Sequence, residues 1–202
     1  MLSNFILKTM HEPLINYIKN HSVTPLTEND EEVIKNTFIP KKIRKRQYFL
    51  QEGEVCQYMG FIVKGAMRQY SVDEKGMEHI VRLPIENWWV GDRESHHMLK
   101  PSVYNIDAWE DTDLLQISRA DTLSYLYSIP AINEMSRILD ERYAFAAQKR
   151  LNNHISLSAE KRYSSLESIY PELIQRFPQH IIASYLGITK DTLSRIRKQA
   201  VR

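Results

Sequence analysis

The C-terminal stretch Gln179-His180-Ile181-Ile182-Ala183-Ser184-Tyr185-Leu186-Gly187-Ile188-Thr189-Lys190-Asp191-Thr192-Leu193-Ser194-Arg195-Ile196-Arg197-Lys198 constrains this chain more than any other. Ile182, Ala183 and Leu186 recur at three-to-four spacing, which lays them on one face of a helix. Gly187 follows at once. A helix that stops and reverses needs a residue tolerant of positive φ, and glycine is the least strained choice. Thr189 then offers a hydroxyl to cap a second helix, and Asp191 sits in its first turn, where the helix dipole favours an anion. Leu193 and Ile196 continue the apolar face and can close on Ile182 and Leu186, with the small Ala183 letting two crossing helices approach. The opposite face carries Lys190, Arg195 and Lys198, interleaved with Thr189, Asp191, Thr192 and Ser194. A cationic, polar helix face behind a tight turn is what entry into a DNA major groove requires.

The string Leu186-Gly187-Ile188-Thr189-Lys190-Asp191-Thr192-Leu193-Ser194-Arg195 resembles the helix-turn-helix signature of the Crp/Fnr family of bacterial transcription regulators. In that family the residues after the turn face the bases, and they map here onto Thr189, Lys190, Asp191 and Arg195, with Thr192 counted among the DNA-binding residues beside them. An arginine so placed can donate two hydrogen bonds to guanine O6 and N7, and an aspartate can accept from cytosine N4. Gln179, Thr189 and Lys198 are better placed for phosphates, which position a protein without reading sequence.

Charge agrees with this division of labour. Residues 161–202 hold eight Lys/Arg against three Asp/Glu, whereas residues 1–160 hold nineteen against twenty-two. The basic excess is therefore local to the candidate DNA-binding end. An apolar fraction of 43% supports a real core. The single cysteine, Cys56, excludes an internal disulfide framework, a four-cysteine metal site and, within one chain, a cysteine-held iron–sulfur cluster. No apolar run approaches the ~18–20 residues that span a membrane, and the first ten residues lack a signal-peptide layout, so a cytoplasmic protein is expected.

Along the chain, Leu14–Asn20 and Glu28–Thr37 read as short helices, the second capped by Thr27 with Glu28, Asp30 and Glu31 in its first turn. Lys41-Lys42-Ile43-Arg44-Lys45-Arg46 reads as an exposed strand edge guarded by charge. From Gln47 to Ile117, turn residues punctuate short runs rich in Val, Ile, Tyr, Phe and Trp. Turns are expected at Gly53-Glu54, Lys64-Gly65, Asp73–Gly76 and Glu110-Asp111, which suggests sequential antiparallel strands in a small barrel or roll. Leu50 with Gly53-Glu54, then Phe61-Ile62-Val63-Lys64-Gly65-Ala66-Met67-Arg68, is similar to the opening of the cyclic-nucleotide-binding β-roll of the same family.

The resemblance, running from about Lys41 to Lys198, implies an α+β architecture. A helical lead-in and β-roll sensor would occupy 1–130, a long dimerisation helix 131–157, and a helix-turn-helix domain 158–202. Many family members carry β-strands after the recognition helix; this sequence stops four residues past Lys198, so a domain without that trailing wing is expected. The implied protein is a homodimer that binds double-stranded DNA and contacts RNA polymerase, with no membrane partner.

The sensor departs from the family pattern. Members that bind cyclic AMP carry Gly-Glu at the start of a short helical cassette and Arg-Ser about ten residues later, where the arginine neutralises the phosphate. Here Gly91-Asp92 can stand for the first pair, while the second falls on Ser102-Val103. Arg82 and Arg93 are the available substitutes, and Trp88-Trp89 with Tyr104 would make the pocket more apolar. Cyclic AMP is therefore not expected as effector, and no other cofactor is implied.

Residues 131–155 contain neither Gly nor Pro and read as one helix, roughly 37 Å long. Ile132, Met135, Leu139, Tyr143, Ala146 and Arg150 recur at three-to-four spacing, a seam for a second copy. His96-His97 has no ligand spacing around it and reads as a pair of loop histidines, so no metal site is expected. No nucleophile elbow, phosphate loop or paired acidic motif appears, and enzymatic activity has no support. The competing function is a ligand-binding or scaffold protein whose C-terminal helices contact another protein; phosphate contacts would distinguish the two by their steep salt dependence.

Overall fold

A computed structural model describes residues 2–200, with side chains described for 10–199. The chain runs α1 (Leu2–His21), α2 (Glu28–Thr37), β1 (Ile39–Ile43), β2 (Tyr48–Leu50), β3 (Tyr58–Lys64), β4 (Met67–Val72), β5 (Glu78–Arg82), β6 (Trp89–Val90) and α3 (Arg93–Met98). It continues as β7 (Asn105–Ala108), β8 (Thr112–Ser118), α4 (Arg119–Ser124), a 3₁₀ turn, α5 (Pro130–Ser156), α6 (Ala159–Ile169), α7 (Pro171–Arg176), α8 (Gln179–Leu186) and α9 (Lys190–Ala200).

The strands form two four-stranded sheets, ordered β1-β8-β3-β6 and β2-β7-β4-β5, with antiparallel pairing. Period-two alternation turns one face of each sheet inward, where Ile43, Leu50, Ile62, Met67, Ile106 and Leu114 meet in a common core. Only the first part of the basic run lies on a strand: Lys41 and Lys42 are on β1, at an edge of its sheet, while Arg44, Lys45 and Arg46 fall in the turn that follows it, and all five are exposed. At Gly65, φ is +109° and a Cβ would stand 2.7 Å from the Asp111 carbonyl oxygen, so only glycine lets β3 turn into β4 against β8.

The N-terminal helices supply the other side of this unit. Leu14, Ile18, Ile34 and Phe38 are fully buried, and Tyr17 packs on Phe61 of β3. Helix α2 begins with the capping box on Thr27, reciprocated by Asp30. Helix α1 starts earlier than its apolar spacing suggests and runs through Pro13. Proline reads as a stop because it lacks an N–H, but it removes only one helical hydrogen bond. Glu134 of α5 accepts from the Ser22 hydroxyl and from the Val23 and Thr24 N–H groups. These donors, the Ser22 hydroxyl first, hold its carboxyl down to about 2.

The chain divides into two compact units that do not follow chain order: Met1–Ser71 with Leu83–Asp140, and Val72–Arg82 with Glu141–Arg202. Helix α5 contributes to both. Its N-terminal half departs from the expected seam. Ile132, Met135 and Leu139 are buried by the chain's own residues at 1%, 2% and 8% exposure, so they are not available to a second copy. The three-to-four spacing marks an apolar stripe but not what covers it. Tyr143 is half-buried beneath the Arg82 guanidinium, and Ala146 is exposed. The exposed apolar side chains of the helix lie on a different face, at Phe145, Leu151 and Ile155, which are 67%, 63% and 79% exposed.

Candidate nucleic-acid interface and sensor cassette

Helices α8 and α9 are built as their sequence predicts. Gly187 ends α8 in the left-handed conformation at φ 65°, and the Ile188 N–H reaches back to the Ala183 carbonyl at 3.0 Å. The His154 imidazole lies above this glycine, 2.4 Å from where a Cβ would stand, but that exposed side chain can give way, so it is the dihedral that favours glycine. Thr189 Oγ1 accepts from the Thr192 N–H at 3.2 Å and so caps α9. Ile182, Ala183, Leu186, Leu193 and Ile196 are all buried, and Tyr163, Leu166, Leu173 and Phe177 of α6, α7 and the following turn join them.

Packing one face so completely leaves the other outward. Thr189, Lys190, Asp191, Arg195 and Lys198 are exposed; Gln179 is half-buried at the start of α8. Asp191, Arg195 and Lys198 line one shallow concavity together with Ser194 and Gln199. Ser194 belongs to the polar face expected from sequence but was assigned no contact of its own, and Gln199 was not singled out. The Thr192 hydroxyl is 2.9 Å from that of Thr189, beside the cap. Glu160 has its carboxyl lowered by its own backbone N–H and the Ser158 hydroxyl, with Arg195 near enough to contribute. Arg195 thus has an anion of its own chain within electrostatic reach.

The cassette in the first unit is satisfied internally. Asp92 caps α3: one carboxylate oxygen accepts from the Glu94 and Ser95 N–H groups, and the other accepts from the Ser102 hydroxyl at 2.7 Å. Ser95 Oγ accepts the Cys56 N–H and donates to the Lys100 carbonyl, and Ser102 exchanges backbone hydrogen bonds with the Gly53–Glu54 turn. Gly91, at φ 137°, lies against Met59, whose sulfur is 2.5 Å from a notional Cβ.

Most of the other expected pocket residues engage other partners, and Tyr104 joins this network through its backbone. Arg93 is exposed and pairs with Asp140 at 2.6 Å. Arg82 belongs to the second compact unit and stacks on Tyr143. Val103 is 61% exposed, and Trp89 packs edge-on against Phe38 and Phe61. Tyr104 is half-buried, with its N–H bonded to Ser102 Oγ. Arginine side chains placed near one another along the sequence pair with whichever carboxylate or ring their own element faces, which spacing alone does not reveal.

His96 corrects the reading of a loop pair. It lies within α3 and is buried, while His97 is exposed. The Cys56 carbonyl, 3.0 Å from Nδ1, can only accept, so Nδ1 carries the proton. Nε2 is then an acceptor with no hydrogen-bond partner, and burial lowers the imidazole's pKa. Burial also pushes the Cys56 thiol up, away from a reactive thiolate. Among the described residues no group of three or more His, Cys, Asp or Glu side chains could hold a metal, and no helix is long and apolar enough to cross a membrane.

Comparison with known proteins bears on both halves. Residues 40–128 match the family model of the cyclic nucleotide-binding domain. No curated protein sequence matches the chain. Among solved structures, FixK2 from Bradyrhizobium japonicum is similar with a TM-score of 0.66 at 17% identity, over 80% of this chain and 83% of that one. The c-di-GMP-responsive global regulator CLP of Xanthomonas campestris gives a TM-score of 0.66 at 12% identity, covering 86% and 91%. A transcriptional regulator of the Crp/Fnr family from Eubacterium rectale gives 0.62 at 16% identity, covering 91% and 87%. The chain thus has a Crp/Fnr-like fold, with residues 40–128 forming a domain of the cyclic nucleotide-binding type.

Proposed function

We propose that this protein is a sequence-specific DNA-binding transcription regulator of Crp/Fnr type that acts as a homodimer in the cytoplasm, with α8 and α9 as its helix-turn-helix. The observation that carries the reading is α9 itself: Leu193 and Ile196 are buried while Lys190, Asp191, Arg195 and Lys198 stand exposed on one side. Arg195 and Asp191 are assigned to bases, and Lys198, Thr189 and Gln179 to phosphates. RNA polymerase is the partner that such a role requires.

The dimer is assigned to the exposed stripe of α5, with Phe145, Leu151 and Ile155 as its apolar anchors, because a solvated stripe of this size on one helix is covered most simply by its own copy. The double variant Leu151→Glu/Ile155→Glu is expected to sediment as a monomer. Leu139→Arg instead buries an unpaired charge within the chain and is expected to unfold it.

Cyclic AMP is not the effector in this reading. The Asp92 carboxylate already occupies the N–H groups at the start of α3 and the Ser102 hydroxyl, and an incoming phosphate would meet that charge. Calorimetry showing micromolar or tighter cyclic AMP binding would refute this.

The test of the function is selection from a randomised duplex pool, followed by titration of the enriched duplex against salt. A regulator enriches a two-fold-related sequence with half-sites ~34–36 Å apart, and log K falls with log[salt] by about 0.9 per phosphate contacted. A protein that enriches nothing and shows no salt slope has C-terminal helices that contact another protein.

A further inference from the structure

We propose that the outer face of the β2-β7-β4-β5 sheet, with the β1–β2 turn beside it, binds single-stranded nucleic acid. No residue of α8 or α9 takes part, so the site stands or falls apart from the DNA-binding reading above.

The charge of the turn is out of keeping with its surroundings. Residues 1–160 carry more Asp/Glu than Lys/Arg, yet five of their nineteen cations fall within 41–46. Edge protection accounts for Lys41 and Lys42, which lie on β1, where Lys42 pairs with Asp113 at 3.8 Å. It does not account for Arg44, Lys45 and Arg46, which follow the strand and are exposed. Their backbone is held firmly. The Arg44 N–H donates to Gln47 Oε1 at 2.8 Å, the Lys45 N–H to Asp111 Oδ1 at 2.8 Å, and the Arg46 N–H to the Ala108 carbonyl at 2.7 Å. Arg46 stands at φ 70°, a left-handed conformation that glycine or asparagine adopts with less strain. Strain kept at an exposed arginine points to a use for its charge, since the turn alone is better made by glycine. Three cations on a fixed turn suit a polyanion.

Aromatic rings lie beside the turn. In β2 the register shifts so that Tyr48 pairs with Asp107 and Leu50 with Ile106. This irregularity turns Tyr48 away from the core that Leu50 enters. Arg68 of β4, paired with Asp107 in the ladder, lies on that outer face, as does Tyr70 two residues on. Asp107 takes two hydrogen bonds from Arg68, whose guanidinium is 4.3 Å from the Tyr70 ring centroid and 5.9 Å from that of Trp109. Lys45 Nζ is 5.6 Å from the same Trp109 ring, and the Tyr48 hydroxyl is 3.5 Å from that of Tyr70. Cation and ring therefore alternate from Lys45 through Trp109, Arg68 and Tyr70 to Tyr48. Tyr48 is 48% exposed and Trp109 half-buried.

Cations alone would fit a duplex or an acidic peptide equally. Rings interleaved with them fit unpaired bases, because a duplex stacks its bases on one another and a carboxylate has no π face. Phosphates fall to Arg44, Lys45 and Arg46 and bases to Tyr48 and Trp109, over a floor fixed by the Arg68–Asp107 pair.

The test measures binding of a fluorescein-labelled oligothymidylate to the full chain by anisotropy, across a range of salt. Arg46→Gly is expected to melt no lower than wild type, because glycine relieves the turn. It is nonetheless expected to bind the single strand about three- to tenfold more weakly, with a salt slope smaller by about 0.7. Tyr48→Ala is expected to weaken the single strand roughly tenfold, while Tyr48→Phe, which keeps the ring, binds as wild type. Arg195→Ala should leave single-strand affinity unchanged. The site is overturned if the oligothymidylate does not bind, if Arg46→Gly and Tyr48→Ala bind it as wild type does, or if Arg195→Ala abolishes its binding, which places the strand on α9. It is also overturned if Arg46→Gly weakens the enriched duplex as much as the single strand, which makes the turn a general phosphate contact. Arg46→Gly decides alone if Tyr48→Ala fails to fold. A wild-type chain that binds the single strand and no duplex keeps this site and overturns the DNA-binding reading, a separate result.

Discussion

Helices α3 and α9 begin in the same way and end with opposite chemistry. Each is capped by a side-chain oxygen, from Asp92 in one and Thr189 in the other. The Asp92 cap carries a charge and is buried at 8% exposure, with Ser95, His96 and Ser102 closed around it. The Thr189 cap is neutral and exposed, and the cations beyond it face outward. The difference shows that a helix start is only potential. An anion supplied by the chain closes it, whereas a neutral cap flanked by Lys190 and Arg195 leaves the surface ready for an anion from outside.

The comparison can be broken most directly at Asp92. Asp92→Ala removes the cap and strands the Ser102 hydroxyl and two N–H groups, so it should cost about 2–4 kcal/mol of stability in urea unfolding. A loss below ~0.5 kcal/mol would mean the cassette is not closed by this carboxylate. The mirror experiment is Arg195→Ala, expected to cost about 1–3 kcal/mol on the enriched duplex, little on random DNA and almost nothing in unfolding. Equal weakening of both duplexes would make Arg195 a phosphate contact.

A third test uses pH. Because burial lowers the His96 pKa, the unfolded chain binds a proton that the folded chain refuses. Stability is therefore complete above the unfolded value near 6.5 and is lost as pH falls below it, by at most about 1.4 kcal/mol per pH unit. His96→Gln, which keeps a donor for the Cys56 carbonyl, should flatten that slope between pH 6.5 and 5; an unaltered slope would place the titration elsewhere. The smallest effect is expected of Lys198→Ala, which should weaken enriched and random duplexes alike and lower the salt slope by about one unit. Lys198 would be a base contact if only the enriched duplex responded.

Much of the fold was legible from local pattern. The Thr27 capping box, the turn at Asp73–Gly76, the break at Gly187 and the inward faces of α8 and α9 depend on residues a few positions apart, and their signals survive without knowledge of the rest. The outward face of α9 followed from the same periodicity, because a helix with one face buried has its polar face fixed by geometry.

Contacts between distant segments were not legible. Arg68 grips Asp107 through two hydrogen bonds, at 2.8 and 2.9 Å, because β4 and β7 pair in the register that sets them opposite each other. Nothing in the spacing of Ser184 announced a bond to β5, nor did that of Ser102 announce one to Asp92. On α5, periodicity marked Ile132, Met135 and Leu139 as an apolar stripe, but only the packed chain showed that its own residues cover them and leave Phe145, Leu151 and Ile155 bare. Sequence by itself determined where helices start, stop and turn, since capping and periodicity are energies of neighbouring residues. The tertiary structure alone decided which stripes are spent within the chain and which remain, since burial is settled by segments that the chain brings together from afar.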